Sequence, residues 1–216
     1  MKKILIAFSL LLCAATGFSQ KLKPVKIDSL VSVSLPEKYV RKDTLGQSVF
    51  SANSDYGYMV VIRAPNADNN KALKKERDLN KVLQDYIKGI KGQSEGSAQN
   101  VRDTLIGQLK AKTFTLETDE GAGVHLRNFI IIYTQDVTYT FEYFYEQLRA
   151  DLVKGEYKEF ASSIKLSPEL HRNDQYLSNA KGLSNTAKIA IYGGGALVVI
   201  LIIILLVRKK KKHEDD

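Results

Sequence analysis

Val137, Tyr139, Phe141, Tyr143 and Tyr145 fall at every second position of the run VTYTFEYFY and give it one apolar face. Strict alternation over nine residues is a strand pattern, because successive side chains leave a strand on opposite sides. The run before it, VHLRNFIIIY, is separated from it only by Thr134, Gln135 and Asp136, a spacing that makes the two a hairpin. FIIIY is apolar on both phases, so its strand belongs inside a sheet with cover on each face. A chain holding this pair folds around a layered sheet.

The remaining elements are read against that sheet. Val31, Val33 and Leu35 alternate with serines and stop at Pro36, a short half-buried strand. SVFSANS and YMVVIRAP flank Asp55-Tyr56-Gly57 and read as a second hairpin. From Asn70 to Ile90 the period changes, with Leu79, Val82, Leu83, Tyr86, Ile87 and Ile90 spaced by three and four. This predicts an amphipathic helix, with Asp68 or Asn69 as its cap, Gly92 as its stop and the loop GQSEGSA after it. Leu109, Ala111, Thr113 and Thr115 alternate with Lys110 and Lys112, and a break falls at Asp119 to Gly123. Leu148, Leu152, Tyr157, Phe160 and Ile164 keep helical spacing and predict a final helix over one face. The order strand, hairpin, helix, three strands, helix implies an α+β domain with an antiparallel sheet of about six strands sandwiched by helices.

The two ends predict where that domain sits. Ile189 to Val207 is nineteen residues without a charge, followed directly by Arg208 and four lysines. As a helix it spans roughly 28 Å, close to a bilayer's hydrocarbon thickness of ~30 Å. The cations place the C-terminus in the cytoplasm. MKKILIAFSLLLCAATGFSQ has two lysines, an apolar core from Ile4 to Ala15, and Gly17 and Ser19 before Gln20, which is the layout of a cleaved secretory leader. Leu12 immediately before Cys13 argues against a lipidation site there, and leader removal leaves no cysteine for disulfides or metal. The expected organisation is a signal peptide over 1–19, an extracytoplasmic domain over 20–166, a juxtamembrane stalk over 167–188, a transmembrane helix over 189–207 and a cytoplasmic tail over 208–216. The stalk is read from SPELHRNDQYLSNAKGLSNTAK, which has no sustained apolar period.

The formal charge of +8 dissolves on inspection, since between Gln20 and Ala187 there are 24 cations against 21 acids. Interspersed, near-balanced charge carries no footprint for nucleic acid. No Asn-X-Ser/Thr acceptor occurs.

Four features resemble the PsbP-like domains, a group that includes DcrB-like and LpqN-like extracytoplasmic proteins. They are the opening strand VSVSLP followed by Tyr39, the early hairpin, the central amphipathic helix, and a long last hairpin feeding a helix that ends FASSIKL. The family often carries Trp near the position of Tyr39, and this chain has none. The resemblance covers residues 27 to 166 and implies an αβα sandwich in proteins that act mostly as accessory or interaction modules. It brings no catalytic or ligand-binding residues with it.

The sequence carries little else that suggests chemistry. Of the histidines, His171 falls in the stalk and His213 in the tail, leaving His125, on the phase of Arg127 and Phe129, without a serine or carboxylate spacing that suggests a nucleophile and base. Glu117, Asp119 and Glu120 lack the spacing of a calcium loop, and Gly121-Ala122-Gly123 lacks a dinucleotide fingerprint. Tyr139, Tyr143 and Tyr145 read as sheet core before they read as a binding platform. Gly193-Gly194-Gly195 in the apolar run reads as tolerated flexibility, its glycines being contiguous rather than spaced by four.

The expectation is a non-enzymatic interaction or accessory module, with no catalytic, cofactor or metal residues. Its partners would be the bilayer, through residues 189–207, and an envelope protein. The alternatives are a carrier of a small apolar or peptide ligand lined by Tyr139 and Tyr143, and a hydrolase built on His125.

Overall fold

The hairpin that dominates the sequence forms the middle of the sheet. In the computed structural model, which describes residues 21–67, 72–119, 121 and 123–178, β8 (Val124–Tyr133) pairs antiparallel with β9 (Val137–Glu146). The strand before them, β7 (Leu109–Asp119), joins β8 on its other side, and β5 (Tyr58–Pro65) joins β9. Completed by β3 (Val40–Thr44), β4 (Gln47–Asn53) and β6 (Ser97–Ile106), the sheet runs β3-β4-β5-β9-β8-β7-β6. All of its pairings are antiparallel.

Each face of β8 has its own core, as FIIIY requires. Phe129, Ile131 and Tyr133 pack with Phe114 and Leu116 under Leu79, Leu83 and Ile87 of helix α1 (Glu76–Ser94). Ile130 and Ile132 point the other way, into a larger core with Tyr139, Phe141 and Tyr143. A small sheet of β1 (Lys23–Lys26), β2 (Val31–Leu35) and β10 (Lys165–Leu166), with helix α2 (Ala150–Ser162), closes that second face. Val31, Val33 and Leu35 are buried in β2 and the serines between them half-buried, as their alternation predicts.

Four strands lie where the sequence carries no alternation signal. β1 buries only Val25, β3 buries nothing and β10 has two residues. β6 is an exposed edge that begins inside the expected loop GQSEGSA. The β3–β4 hairpin turns at Leu45 and Gly46, both at positive φ (49° and 77°), a conformation usually signalled by Asn-Gly rather than Leu-Gly.

Helix α1 starts later than its apolar period suggests. Asp68 and Asn69 lie outside the described residues, and the cap is Lys75, whose backbone N–H donates to Asp78 Oδ2 at 3.0 Å. The helix also runs through Gly92 and stops at Glu95, which takes the left-handed conformation (φ 49°). A Cβ on Gly89 or Gly92 would meet nothing, so neither glycine interrupts the ladder. Replacing both with alanine should therefore raise stability by about 1–2 kcal/mol through the lost freedom of the unfolded chain. Urea denaturation checks this through a higher midpoint at unchanged slope.

The last helix packs through Tyr157, Phe160 and Ile164 as expected, but not through the first two positions of the expected face. Leu148 is 97% and Leu152 58% exposed, while Val153, Phe160 and Ile164 are buried. Residues Gln147–Arg149 form a 3-10 turn, and its tighter winding resets the helical phase before α2 begins.

The chain also stays packed beyond the expected domain end at residue 166. Leu170, Gln175 and Tyr176 are buried, so the segment 167–178 belongs to the folded unit rather than to a stalk. No helix among the described residues is long and apolar enough to cross a membrane. The leader 1–19, the apolar run 189–207, the tail 208–216 and the remainder of the stalk lie outside them.

Candidate functional site

The covering layers are staggered. Helix α1 lies over β6, β7 and β8 on one face, and the small sheet with α2 lies mainly over β4, β5 and β9 on the other. Two areas of the main sheet stay open as a result, one on each face.

The first is the part of the α1 face that the helix does not reach. Val49, Val60, Ile62 and Phe144 are half-buried there, alongside His125, Arg127 and Glu142. The His125 ring stacks on Phe144 with centroids 5.2 Å apart, and its buried Nδ1 makes no hydrogen bond. Among the described residues no serine or carboxylate hydrogen-bonds this Nδ1, so they assemble no base-and-orienter pair at that nitrogen. Arg127 stands over Phe144 and reaches Glu142 at 3.7 Å. Burial raises the Glu142 carboxyl above the ordinary carboxylate range, and the Arg127 charge only partly opposes it.

The three tyrosines of β9 are core. Tyr139 donates to Asp28 Oδ2 at 2.6 Å and Tyr143 donates to Glu156 Oε2 at 2.7 Å, and both rings are fully buried. Tyr143 packs against Tyr157 and Phe160 of α2. Burial, with help from the acceptor carboxylates, holds both phenols far above their ordinary range. Tyr143 is enclosed by the core, whereas Tyr139 also borders an opening of about 390 Å³ with Leu30, Val137 and Leu170.

The second open area is a cleft of about 560 Å³ between β6 and α2. Its position depends on a bulge. β6 pairs with β7 in register up to Gln99, slips at Asn100 and Val101, and resumes with Arg102 opposite Thr113. Asn100 takes a left-handed φ of 54° to make the slip. An inserted residue exchanges the faces of everything after it, so Arg102, Thr104 and Ile106 turn towards α2, while Val101, Asp103 and Leu105 turn away. Asp103 accordingly pairs with Lys112 at 2.6 Å on the opposite face.

The cleft is cationic and rich in unused polar groups. Arg102 on the strand and Lys158 on the helix both line it, and neither has an ion-pair partner among the described residues. Thr115 donates to Asn128 Oδ1 at 2.8 Å, and the Asn128 amide nitrogen donates to no acceptor among the described residues. Thr113 and Tyr157 add hydroxyls, and Ile106 and Ile130 add separate apolar surfaces. Burial raises the Tyr157 phenol, and the Arg102 charge acts against that rise. Such an arrangement can hold a carboxylate or another oxyanion by charge-assisted hydrogen bonds. Alternation alone could not reveal it, because the bulge changes the phase of β6 without a glycine to mark it.

The acidic residues of the β7–β8 turn are engaged locally. The Asp119 carboxylate accepts from the Gly121 N–H at 2.9 Å and Glu117 from Gln99 at 2.8 Å, while Glu120 and Ala122 lie outside the described residues. Among the described residues no cluster of three or more His, Cys, Asp or Glu is placed to hold a metal ion.

No family model matches the chain, and no curated protein does. Among solved structures it is similar to the solution structure of cyanobacterial PsbP (CyanoP) from Synechocystis sp. PCC 6803, at 17% identity over 71% of this chain and 96% of that one, with a TM-score of 0.50. A crystal structure from Bacteroides thetaiotaomicron VPI-5482 is similar at 13% identity over 64% of this chain and 46% of that one, with a TM-score of 0.40. The fold is PsbP-like, as the resemblance in sequence implied.

Proposed function

We propose that this chain is a non-enzymatic interaction or accessory module, held at the outer face of the cytoplasmic membrane by residues 189–207, that recognises an anionic group of an envelope partner in the cleft between β6 and α2. The observation that carries the reading is the convergence of Arg102 and Lys158, neither of them ion-paired among the described residues, on a cleft that also holds the Asn128 amide and the hydroxyls of Thr113 and Tyr157, while the Asp103 carboxylate at its edge is taken up by Lys112. Cations that are not offset by an ion pair make a surface that steers and orients an acidic partner. The leader and the basic flank of the apolar run support the membrane topology, and the balanced charge of the domain argues against a polyanion such as nucleic acid.

Crosslinking in intact cells followed by affinity purification tests the reading. The wild-type chain should capture a defined envelope protein, and Arg102→Ala with Lys158→Ala should lower that capture about tenfold or more, in keeping with the loss of two charge-assisted contacts. Equal capture by the double variant would remove the cleft from the function. Recovery of the chain alone under every growth condition would count against a partner altogether.

A further inference from the structure

The geometry points to an extended acidic peptide as the occupant of the cleft, added as an eighth strand to the free edge of β6. This inference rests on the reading of the cleft as an anion-recognising site and names the form in which the anion arrives.

β6 ends the sheet, so alternate residues turn their N–H and C=O groups away from β7, and no other backbone segment among the described residues pairs with them. The bulge at Asn100 and Val101 cuts off the three paired residues before it, but from Arg102 to Ile106 the register against Thr113 to Leu109 is unbroken. Five such residues give an added strand a straight template of about 17 Å.

A peptide laid on that template sends alternate side chains to opposite faces. One set enters the space between β6 and α2, beside Arg102 and Lys158, and the other faces the α1 side. The two cations select acidic residues in the first set, while Ile106, four residues further along β6, accepts an apolar one. A free oxyanion would use the cations and leave both Ile106 and the unpaired backbone unused. The bulge fixes where pairing begins, because a strand continuing past Arg102 towards Gln99 meets the slipped backbone.

The test uses the full-length chain in detergent micelles and a nine-residue peptide that alternates glutamate with valine or threonine. Its controls are the same peptide with glutamine for glutamate, the same peptide with alternate backbone amides N-methylated, and inorganic phosphate. Fluorescence anisotropy should show the parent peptide binding about tenfold more tightly than either peptide control, the scale of a few lost hydrogen bonds. Lys158→Ala, on an exposed helix position, should weaken the parent by about fivefold or more. Amide exchange over residues 102–106 should slow only when the parent peptide is present.

Equal binding of the N-methylated peptide, or phosphate binding without peptide binding, would overturn strand addition and leave the anion-recognising cleft standing. Equal binding of glutamate and glutamine peptides, no binding of any probe, or indifference to Lys158→Ala would overturn both readings. Exchange protection of residues 102–106 without peptide, accompanied by dimerisation, would overturn the peptide in favour of a second copy of the chain.

Discussion

Asp28→Ala should destabilise the domain by about 2–4 kcal/mol, because one carboxylate there ties together four groups from three parts of the chain. Its Oδ1 accepts from the backbone N–H groups of Leu30 and Val31, both at 2.8 Å, and so shapes the turn from β1 into β2. Its Oδ2 accepts from the Tyr139 hydroxyl at 2.6 Å and from Arg63 Nε at 2.9 Å, which fastens that turn to β9 and β5. Alanine would leave a buried phenol and a largely buried guanidinium without their acceptor, and the cost of unpaired groups exceeds the net gain of the bonds themselves. Asp28→Asn keeps acceptor capacity but removes the charge, and should fall between wild type and Asp28→Ala in urea denaturation.

The same site gives stability a pH dependence of known sign. Burial pushes the Asp28 carboxyl up, but the hydrogen bonds from Tyr139, Leu30, Arg63 and Val31 together outweigh it and hold the group below the ordinary range. A carboxyl depressed by folding contributes stability that is present above its unfolded pKa of about 4 and is lost as pH falls through the lower folded value. Below about pH 4, wild type should therefore lose stability faster than Asp28→Ala, and the two curves should converge. Glu142 acts in the opposite direction: its raised carboxyl favours the protonated form, so its contribution falls as pH rises above about 4.

What was legible in the sequence followed burial. β2, β5, β8 and β9 alternate or are apolar throughout because one or both of their faces are covered, and α1 repeats by three and four because one stripe faces Phe114 and Phe129. β3 and β6 are edge strands, exposed along most of their length, so nothing in their side chains records the pairing. The cleft shares that cause. It is built from an exposed edge, a bulge that exchanges faces and a helix whose phase is reset by a 3-10 turn, and none of these leaves a period. Lys158 and Arg102 look like ordinary solvated charges until the fold brings them to one opening.

A chain ending at Leu166 should be unfolded or close to it, whereas one ending at Ser178 should fold. The twelve residues between them have the polar composition of a linker and no sustained apolar period, yet they bury Leu170, Gln175 and Tyr176. Tyr176 enters the core under α1, with Arg172 over its ring at 5.1 Å. Ser167 donates to the Leu30 carbonyl at 2.7 Å, Gln135 donates to the Asp174 carbonyl at 2.7 Å, and Leu177 donates to the Leu73 carbonyl at 3.0 Å, so the segment binds both the small sheet and the approach to α1. Removing a buried leucine and a buried aromatic residue each costs about 2–5 kcal/mol, a sum comparable to the whole stability of an ordinary domain. Gln175 isolates the polar part of that effect. Its side chain accepts from the Lys110 N–H and donates to the Lys110 and Tyr133 carbonyls, all at 2.8 Å, and it is completely buried. Gln175→Ala strands those backbone groups and should cost about 2–3 kcal/mol. Gln175→Glu keeps the acceptor to Lys110 but replaces the donor with a buried negative charge beside two carbonyls, and should cost at least as much. Thermal unfolding of both variants and both truncations decides the matter: a fragment 20–166 as stable as 20–178 would return the segment to the status of a stalk.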